Sequence, residues 1–296
     1  TLLSSNQTQE ATNLHPLVPE LSISDYAAST IALQVTLFPG QGFSIGITAH
    51  HAVLDGNSST MFMKSWAYIC KQDQVDSSLP QELTPLLDRR VIKDPTGRET
   101  SLLNRWSADP SKRNLKLLKS NDVEDVNLLV RGTFELTRED IKKLREKIQK
   151  ESNQPQLHLS SFVITCAYVL VCMVKARSVE SDDKDVSLGF PADYRIRLNP
   201  PVPLNYFGNC VGLHLFVGKA VDFLGDQGIA MAAEKVSNVV KELENGELFE
   251  KEKERISMFM GLRPGALVVK VAARPGLAFT GRTSGGADLE RWRWCL

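Results

Sequence analysis

The chain has 296 residues, enough for one large domain or two ordinary ones. Hydrophobic residues make up 42% and charged residues 24%, as in ordinary soluble globular proteins. Lys plus Arg equals Asp plus Glu at 35 each, and this balance argues against a nucleic-acid or membrane partner, since both select a basic excess.

The cysteines and the apolar segments favour a protein of the cytoplasm. The five cysteines form no C-x-x-C pair, so neither a disulfide framework nor a zinc site is predicted. Most lie in apolar runs, as reduced cysteines do in a reducing cytosol. The most apolar stretch, 162–174, is too short to span a bilayer and predicts a buried helix. The chain begins with Thr1 rather than Met, so we expect the true N-terminus to lie upstream.

The first third of the chain predicts a β-hairpin and then a helix. Ile31–Leu37 and Phe43–Ala49 alternate or are β-branched, and P-G-Q-G at 39–42 supplies the turn. After this hairpin, Asn57 or Ser58 can cap a helix. Three apolar residues share one face of that helix: Phe62, Trp66 and Ile69.

Residues 79–122 predict a crossover between two domains. They contain four prolines, many charges and no sustained period, and a segment of this length is unusual inside one compact domain. We therefore expect the remainder of a first domain over 1–78 and a second, partial domain over 123–272.

The second domain alternates strands and helices, which predicts an α/β architecture. Two helices have start signals, a capping box at Thr137–Asp140 and a cap at Ser160 or Ser161. A further helix is predicted over Ile229–Leu243. The predicted strands are Val130–Leu136, Val186–Phe190, Val211–Val217 and Leu267–Ala272.

The sharpest local feature is T-A-H-H-A-V-L-D-G at 48–56. Because adjacent residues of a strand point to opposite faces, at most one of His50 and His51 should face a given cleft. A histidine at a strand end is well placed to act as a general base, and Asp55 can fix the turn through a salt bridge. Two other interpretations are ordinary polar turn residues and a metal site. The metal site is disfavoured because two adjacent histidines rarely bind one ion.

A second feature runs from D-Y-R-I-R-L-N-P-P at 193–201 to N-Y-F-G-N-C at 205–210. The prolines end regular structure, and Gly208 permits a tight turn before the next strand. The alternative is a simple surface loop whose arginines pair with nearby carboxylates.

Taken together, these motifs resemble those of the plant BAHD acyl-CoA-dependent acyltransferases. H-H-A-V-L-D-G at 50–56 resembles the His-x-x-x-Asp signature of that family, and Y-F-G-N-C at 206–210 resembles the motif of its anthocyanin and phenolic-glucoside malonyltransferase branch. Further matches are D-R-R-V-I-K-D-P at 88–95 and S-F-V-I-T-C-A-Y at 161–168. The resemblance extends from near Thr1 to about Ala272.

The resemblance implies an α/β, two-domain chloramphenicol-acetyltransferase-like fold, the CoA-dependent acyltransferase fold, here incomplete at both ends. It implies that His51 is the general base and that Asp55 supports it structurally by pairing with Arg195 or Arg197. It implies no metal and no bound cofactor. The remaining motif residues that it marks are Tyr206, Phe207, Gly208 and Asn209.

The branch resemblance also implies the substrates. The donor would be an acyl-CoA, most consistent with malonyl-CoA, and the acceptor a hydroxyl of a phenolic or flavonoid glucoside. A hydroxycinnamoyl-CoA donor is the alternative. We expect a monomer without nucleic-acid or membrane partners. Two rival interpretations are a catalytically dead, truncated gene product and a metal-dependent hydrolase built from His50, His51 and Asp55.

The end of the chain departs from the family, because its second hallmark, Asp-Phe-Gly-Trp-Gly, is missing. A one-base shift, read from the last base of the Arg282 codon, permits D-F-G-W-G-R-P-R-K-V-E-V-V-S, and the same shift applied from Ala272 permits G-S-P-R. We therefore interpret 273–296 as out-of-frame translation, and the alternative is a genuinely divergent tail. Accordingly, we expect the chain as it stands to be inactive and poorly soluble.

Overall fold

The structure is a computed structural model. It describes residues 9–24, 26–72, 78–94, 134–154, 156–177, 184–245, 266–273 and 277–283, with short pieces at 97, 100, 103–104, 107, 130–131, 257–258 and 261–262. The chain forms two compact units, Thr1–Thr133 with Asp193–Cys210, and Phe134–Ala192 with Val211–Leu296. The Y-F-G-N-C segment, within the predicted second domain of 123–272, therefore clusters with the first unit. The predicted boundary at 122/123 lies outside the described residues.

The first unit contains the predicted hairpin. Strand β1 (Gln9–Glu10) precedes it, and β2 (Ile31–Phe38) pairs antiparallel with β3 (Gly42–Ala49), so that Ile31 lies opposite Ala49. This confirms the hairpin that the alternating pattern predicted. The described strand β4 (Val130–Arg131) pairs antiparallel with β1.

The hairpin is anchored through one face by the 3₁₀ turn Ala11–Leu17 and the residues after it. Gln34 donates from Nε2 to the carbonyl of Pro16 at 2.6 Å, and Thr48 donates from Oγ1 to the carbonyl of Pro19 at 2.5 Å. At Gly46 a Cβ atom would overlap the Leu17 carbonyl, so only glycine allows this close approach. The end of β3, from which His50 and His51 follow, is thereby held in place.

Helix α1 spans Gly56–Lys71, and its cap differs from the prediction. Asp55 caps it by accepting a hydrogen bond from the Ser58 N–H, so neither Asn57 nor Ser58 is the cap. The buried positions are Ser58, Met61 and Ser65, whereas Ile69 is exposed. The small Ser58 is buried because its hydroxyl is used by the Y-F-G-N-C segment, a contact that no apolar period reveals.

The second unit is an α/β assembly of the expected alternating kind. Its helices are α2 (Arg138–Glu151), α3 (Ser161–Ala176), α4 (Val221–Leu224) and α5 (Gly228–Glu244). Its strands are β5 (Asp185–Asp193), β6 (Val211–Lys219), β7 (Leu267–Ala273) and β8 (Leu277–Thr283), in the sheet order β6-β5-β7-β8. Strands β5 and β7 are parallel, and β7 and β8 are antiparallel.

The start signals of the helices are confirmed, since Thr137 and Asp140 form the capping box and Ser160 caps α3. Ile148 on α2 is fully buried, with Ile141 and Leu144 packed against the same core. The fully buried residues of α3 and α5, among them Leu170 and Val236, form this core with β5 and β7. The predicted buried helix over the apolar stretch is therefore correct.

Two strand predictions need correction. The strand predicted over Val130–Leu136 is described only at Val130–Arg131, and 134–136 is not strand, with Phe134 exposed to solvent. No strand is predicted at β8, which lies in the segment interpreted as out-of-frame translation, yet it pairs with β7 over its whole length. The remaining residues of that segment, 274–276 and 284–296, lie outside the described residues. Within the described residues, no helix combines the length and the hydropathy that a membrane crossing requires.

Candidate functional site

The turn that follows β3 carries both histidines. The N–H of His50 donates to the Thr30 carbonyl at 2.9 Å, and its own carbonyl accepts from the Val53 N–H at 2.9 Å, which closes the turn. The imidazole Nδ1 of His50 accepts from the Ala52 N–H at 3.2 Å. Both histidines are half-buried. The turn is therefore fixed by backbone hydrogen bonds on its N-terminal side.

On its C-terminal side the turn is fixed by Asp55, which is 1% exposed. Both carboxylate oxygens are used. Oδ1 accepts from the Ser58 N–H at 2.9 Å and Oδ2 accepts from the Cys210 N–H at 3.0 Å. Arg195 donates to both oxygens, from Nη1 to Oδ2 at 2.8 Å and from Nη2 to Oδ1 at 3.0 Å. This is a bidentate, charge-assisted pair, the strong form of such contacts.

Arg195 is completely buried. Its guanidinium binds both Asp55 and the Y-F-G-N-C segment. Besides the two Asp55 oxygens, it donates to four acceptors: Asp193 Oδ1 at 3.0 Å, Ser58 Oγ at 3.2 Å, the Tyr206 carbonyl at 3.2 Å and the Gly208 carbonyl at 2.9 Å. These acceptors replace the water that the two terminal nitrogens of a buried guanidinium have lost. The pair thus joins the end of the His-x-x-x-Asp motif to Y-F-G-N-C.

The sequence predicts that either Arg195 or Arg197 pairs with Asp55, and the structure distinguishes between them. Arg195 pairs with Asp55, whereas Arg197 donates from Nη1 to the Asp193 carbonyl at 2.7 Å. Asn209 contacts the histidine turn directly, since its side-chain N–H donates to the His51 carbonyl. Of the other motif residues, Tyr206 and Gly208 contribute the carbonyls that Arg195 binds, and Phe207 contributes a carbonyl to another arginine, Arg89.

Two contributors had not been singled out from the sequence. The Ser58 hydroxyl donates to the Gly208 carbonyl and accepts from the Gly208 N–H, both at 3.0 Å. Arg89 reaches both the histidine turn and Y-F-G-N-C. Their contacts join segments far apart in the chain, so no local spacing indicates them. The only available signal was the family match at 88–95, which includes Arg89.

Asp55 and Arg195 each stabilise the ionised form of the other. Burial raises the pKa of the Asp55 carboxyl, but the hydrogen bond from Arg195 and those from two backbone N–H groups outweigh burial, so the pKa lies below its ordinary value. Burial lowers the pKa of Arg195, and Asp55 and Asp193 more than reverse this effect. For the neighbouring Cys210, burial is the main cause that raises the pKa of the thiol to about 11. At neutral pH the pair is ionised and the thiol is protonated.

The same contacts weaken the metal-site interpretation. Asp55 directs both carboxylate oxygens to Arg195 and to backbone N–H groups, which leaves poor geometry for a cation beside the guanidinium. Across the described part of the chain, no group of three or more His, Cys, Asp or Glu residues could hold a metal ion. A metal-dependent hydrolase built from His50, His51 and Asp55 therefore has no ligand set among the described residues.

The lowered pKa of Asp55 leads to a prediction about stability in acid. The carboxyl titrates near 3.8 when unperturbed and lower in the folded state, so the stabilisation is fully present above about pH 3.8 and is lost as the pH falls through the folded value. We expect Asp55→Asn to flatten the fall in unfolding free energy below that pH. Urea unfolding between about pH 2 and pH 7 covers this window and measures the effect.

The matched control is Asp88→Asn. Arg90 lowers the pKa of Asp88 to about 2, but the pair is exposed and water screens it, so its loss should change the profile little. If the pH profile of Asp55→Asn ran parallel to that of the wild type, the assignment would be wrong.

Comparison with known proteins gives matches along most of the chain. A family model described as Transferase family matches residues 1–263. The chain is 46% identical over 288 residues to malonyl-CoA:anthocyanidin 5-O-glucoside-6''-O-malonyltransferase of Arabidopsis thaliana, covering 96% of this chain and 63% of that protein. It is 43% identical over 289 residues to phenolic glucoside malonyltransferase 1 of the same plant, covering 91% and 60%. The chain thus spans about 60% of the length of these relatives.

Two more comparisons bear on substrate and fold. The chain is 43% identical over 236 residues to agmatine coumaroyltransferase of Arabidopsis thaliana, covering 78% of this chain and 51% of that protein. Its structure is similar to that of vinorine synthase, with a TM-score of 0.53 and 16% identity, covering 89% of this chain and 56% of the other. At this identity the similarity concerns the fold alone, and it confirms the predicted fold class.

Proposed function

Because the chain belongs to the Transferase family, the family of the BAHD acyltransferases, we propose that the full-length protein transfers an acyl group from acyl-CoA to a hydroxyl group, with His51 as general base. As part of this proposal, the full-length protein extends this chain to the length of its relatives and reads 273–296 in the frame that permits D-F-G-W-G. The observation that carries the proposal is the buried Asp55–Arg195 pair, since it fixes the end of the turn that presents His51.

Thioester acyl transfer explains why a held histidine is needed. An acceptor hydroxyl is a poor nucleophile at neutral pH, and His51 removes its proton as the oxygen attacks the thioester carbonyl. The resulting imidazolium then protonates the departing CoA thiolate. The attack is direct, so no acyl-enzyme forms. Asp55 does not take part in proton transfer, because both of its oxygens bind Arg195 and backbone N–H groups.

For the substrates we propose malonyl-CoA as donor and a phenolic or flavonoid glucoside as acceptor. The support is the identity of 46% and 43% to two malonyltransferases whose names specify glucoside acceptors. No bound cofactor takes part in the proposed chemistry. We propose that the protein acts in the cytoplasm as a monomer.

We expect the full-length protein to consume malonyl-CoA and a flavonoid glucoside and to yield a malonylated glucoside. The measurement is mass spectrometry of the product, with a panel of donors at equal concentration and the aglycone as the matched acceptor control. A product from the glucoside and none from the aglycone supports the sugar hydroxyl as acceptor. Transfer to the aglycone at an equal rate would contradict the proposed acceptor.

A second candidate is a hydroxycinnamoyl-CoA-dependent transferase. The observation that favours it is the 43% identity to agmatine coumaroyltransferase. The donor panel separates the two candidates, because coumaroyl-CoA turned over faster than malonyl-CoA would select the second.

A further inference from the structure

Arg89 lies outside the His-x-x-x-Asp and Y-F-G-N-C motifs, yet its guanidinium binds both. Its Nη2 donates to the Val53 carbonyl at 3.2 Å, within the turn between His51 and Asp55. Its Nη1 donates to the Tyr206 hydroxyl at 3.0 Å and to the Phe207 carbonyl at 2.7 Å. Arg89 therefore joins the histidine turn to the second motif, in addition to Asn209 at the His51 carbonyl and Arg195 at Asp55.

We propose that Arg89 is a positioning residue for His51, acting through the Val53 carbonyl. This role rests on the proposed function of His51 as general base. Arg89 and Arg195 hold the same turn at two points. Arg195 fixes it at Asp55, and Arg89 fixes it two residues earlier, closer to His51. Without Arg89, Val53 would lose its link to the second motif.

Tyr206 connects the two arginines. Its ring lies under both guanidinium groups, with the Arg89 Cζ 5.4 Å and the Arg195 Cζ 5.7 Å from the ring centroid. Its hydroxyl accepts from Arg89 and its carbonyl accepts from Arg195. Tyr206 is 2% exposed and Arg195 is fully buried, so their contact is shielded from water, whereas Arg89 contacts the ring from the exposed side. If Arg89 is displaced, the Tyr206 ring should shift with it, and Arg195 contacts the same ring.

Gly208 makes room for this arrangement. A Cβ atom at position 208 would overlap the Arg89 Nη1 and would lie 2.5 Å from the Tyr206 hydroxyl oxygen. Since the colliding atoms belong to the Arg89–Tyr206 hydrogen bond, Gly208→Ala should displace Arg89 without removing any of its donors. Because Gly208 also binds Arg195 and Ser58, this variant disturbs the Arg89 contact from the side of the second motif and is interpreted only together with Arg89→Ala.

The shape of the guanidinium matters as much as its charge. Arg89 serves acceptors on separate segments from two nitrogens of one planar group, and an ammonium on a flexible stem cannot reproduce that fork. Arg89→Lys should therefore restore only part of what Arg89→Ala removes. If only the positive charge at position 89 mattered, Arg89→Lys would restore the full activity.

The test compares Arg89→Ala, Arg89→Lys and Gly208→Ala in the full-length protein, with Arg90→Ala as the matched control. Arg90 is the exposed neighbour, and its side chain pairs with Asp88. We expect Arg89→Ala and Gly208→Ala to lower kcat by about tenfold to a hundredfold, since misplacement of a catalytic group by about 1 Å can cost that much. The KM for acyl-CoA should stay within about twofold, because the proposed role of Arg89 is to position the base rather than to bind the donor. Arg90→Ala should leave both constants unchanged.

A second measurement does not depend on turnover. In protein labelled with ¹³C-histidine, NMR spectra at fixed pH should show that Arg89→Ala changes the chemical shifts of the His51 imidazole, whereas Arg90→Ala does not. If the wild type has no transferase activity, the proposed function fails and these spectra still decide the placement of Arg89. Identical His51 chemical shifts in Arg89→Ala, Arg90→Ala and the wild type would overturn the proposal, as would an unchanged kcat in Arg89→Ala.

Discussion

Replacing His51 by alanine in the full-length protein is expected to lower kcat by about a hundredfold to ten-thousandfold, the usual cost of removing a general base. The acceptor hydroxyl would then have to attack without losing its proton to the enzyme. The contact of residue 51 with Asn209 should survive, since it uses the backbone carbonyl, which alanine retains. Steady-state kinetics with saturating donor and acceptor give the measurement.

The matched control is His50→Ala, one residue away on the same turn. The His50 imidazole accepts a local hydrogen bond from the Ala52 N–H, so its loss should loosen the turn and cost much less than the loss of a base. If His50→Ala proved as damaging as His51→Ala, or more so, the assignment of the base would have to be reversed.

Breaking the buried ion pair is expected to have the largest effect on stability. Arg195→Met leaves the Asp55 carboxylate buried without its cation, and such a loss typically costs about 3–5 kcal/mol of unfolding free energy. The Tyr206 and Gly208 carbonyls also lose a donor. Urea unfolding at pH 7 measures the effect, and kcat should fall in parallel because the turn is no longer fixed at Asp55.

Arg197→Met is the control, since Arg197 lies two residues away and its Nη1 donates to the backbone carbonyl of Asp193 rather than to a carboxylate. It should cost far less. The double variant Asp55→Leu/Arg195→Met tests the pairing itself, because contacting residues should couple by about 0.5–3 kcal/mol. Additive costs in this cycle, or equal costs for Arg195→Met and Arg197→Met, would mean that the pair is not what stabilises the site.

The periodic elements of the fold could be predicted because their signals are local. The hairpin β2–β3 alternates residue by residue, and α2 begins with a capping box, so each segment specifies its own structure. Features that depend on contacts between residues far apart in the chain could not be predicted. Asp55 rather than Ser58 caps α1, and Ser58 is buried because Gly208 lies against its hydroxyl 150 residues along the chain.

In the candidate site, too, the residues of contiguous motifs could be predicted, whereas the residues that act through long-range contacts could not. The His-x-x-x-Asp and Y-F-G-N-C motifs are contiguous strings, so His51, Asp55 and Asn209 were recognised through family resemblance. The choice between Arg195 and Arg197 could not be made, because the segment has no period that orients side chains two residues apart. Arg89 acts on Val53 and Tyr206 over separations of 36 and 117 residues, which no sequence spacing encodes. The assignment of 273–296 to another reading frame stays a prediction.

The measurement that tests the central claim most directly is a single-turnover experiment with malonyl-CoA, the glucoside acceptor and an excess of the full-length protein. The account predicts that CoA thiol and malonylated product appear together in one step, that no CoA is released without acceptor, and that His51→Ala abolishes the step. A burst of CoA in the absence of acceptor would reveal an acyl-enzyme, and a burst or an unchanged rate in His51→Ala would contradict direct transfer with His51 as the base.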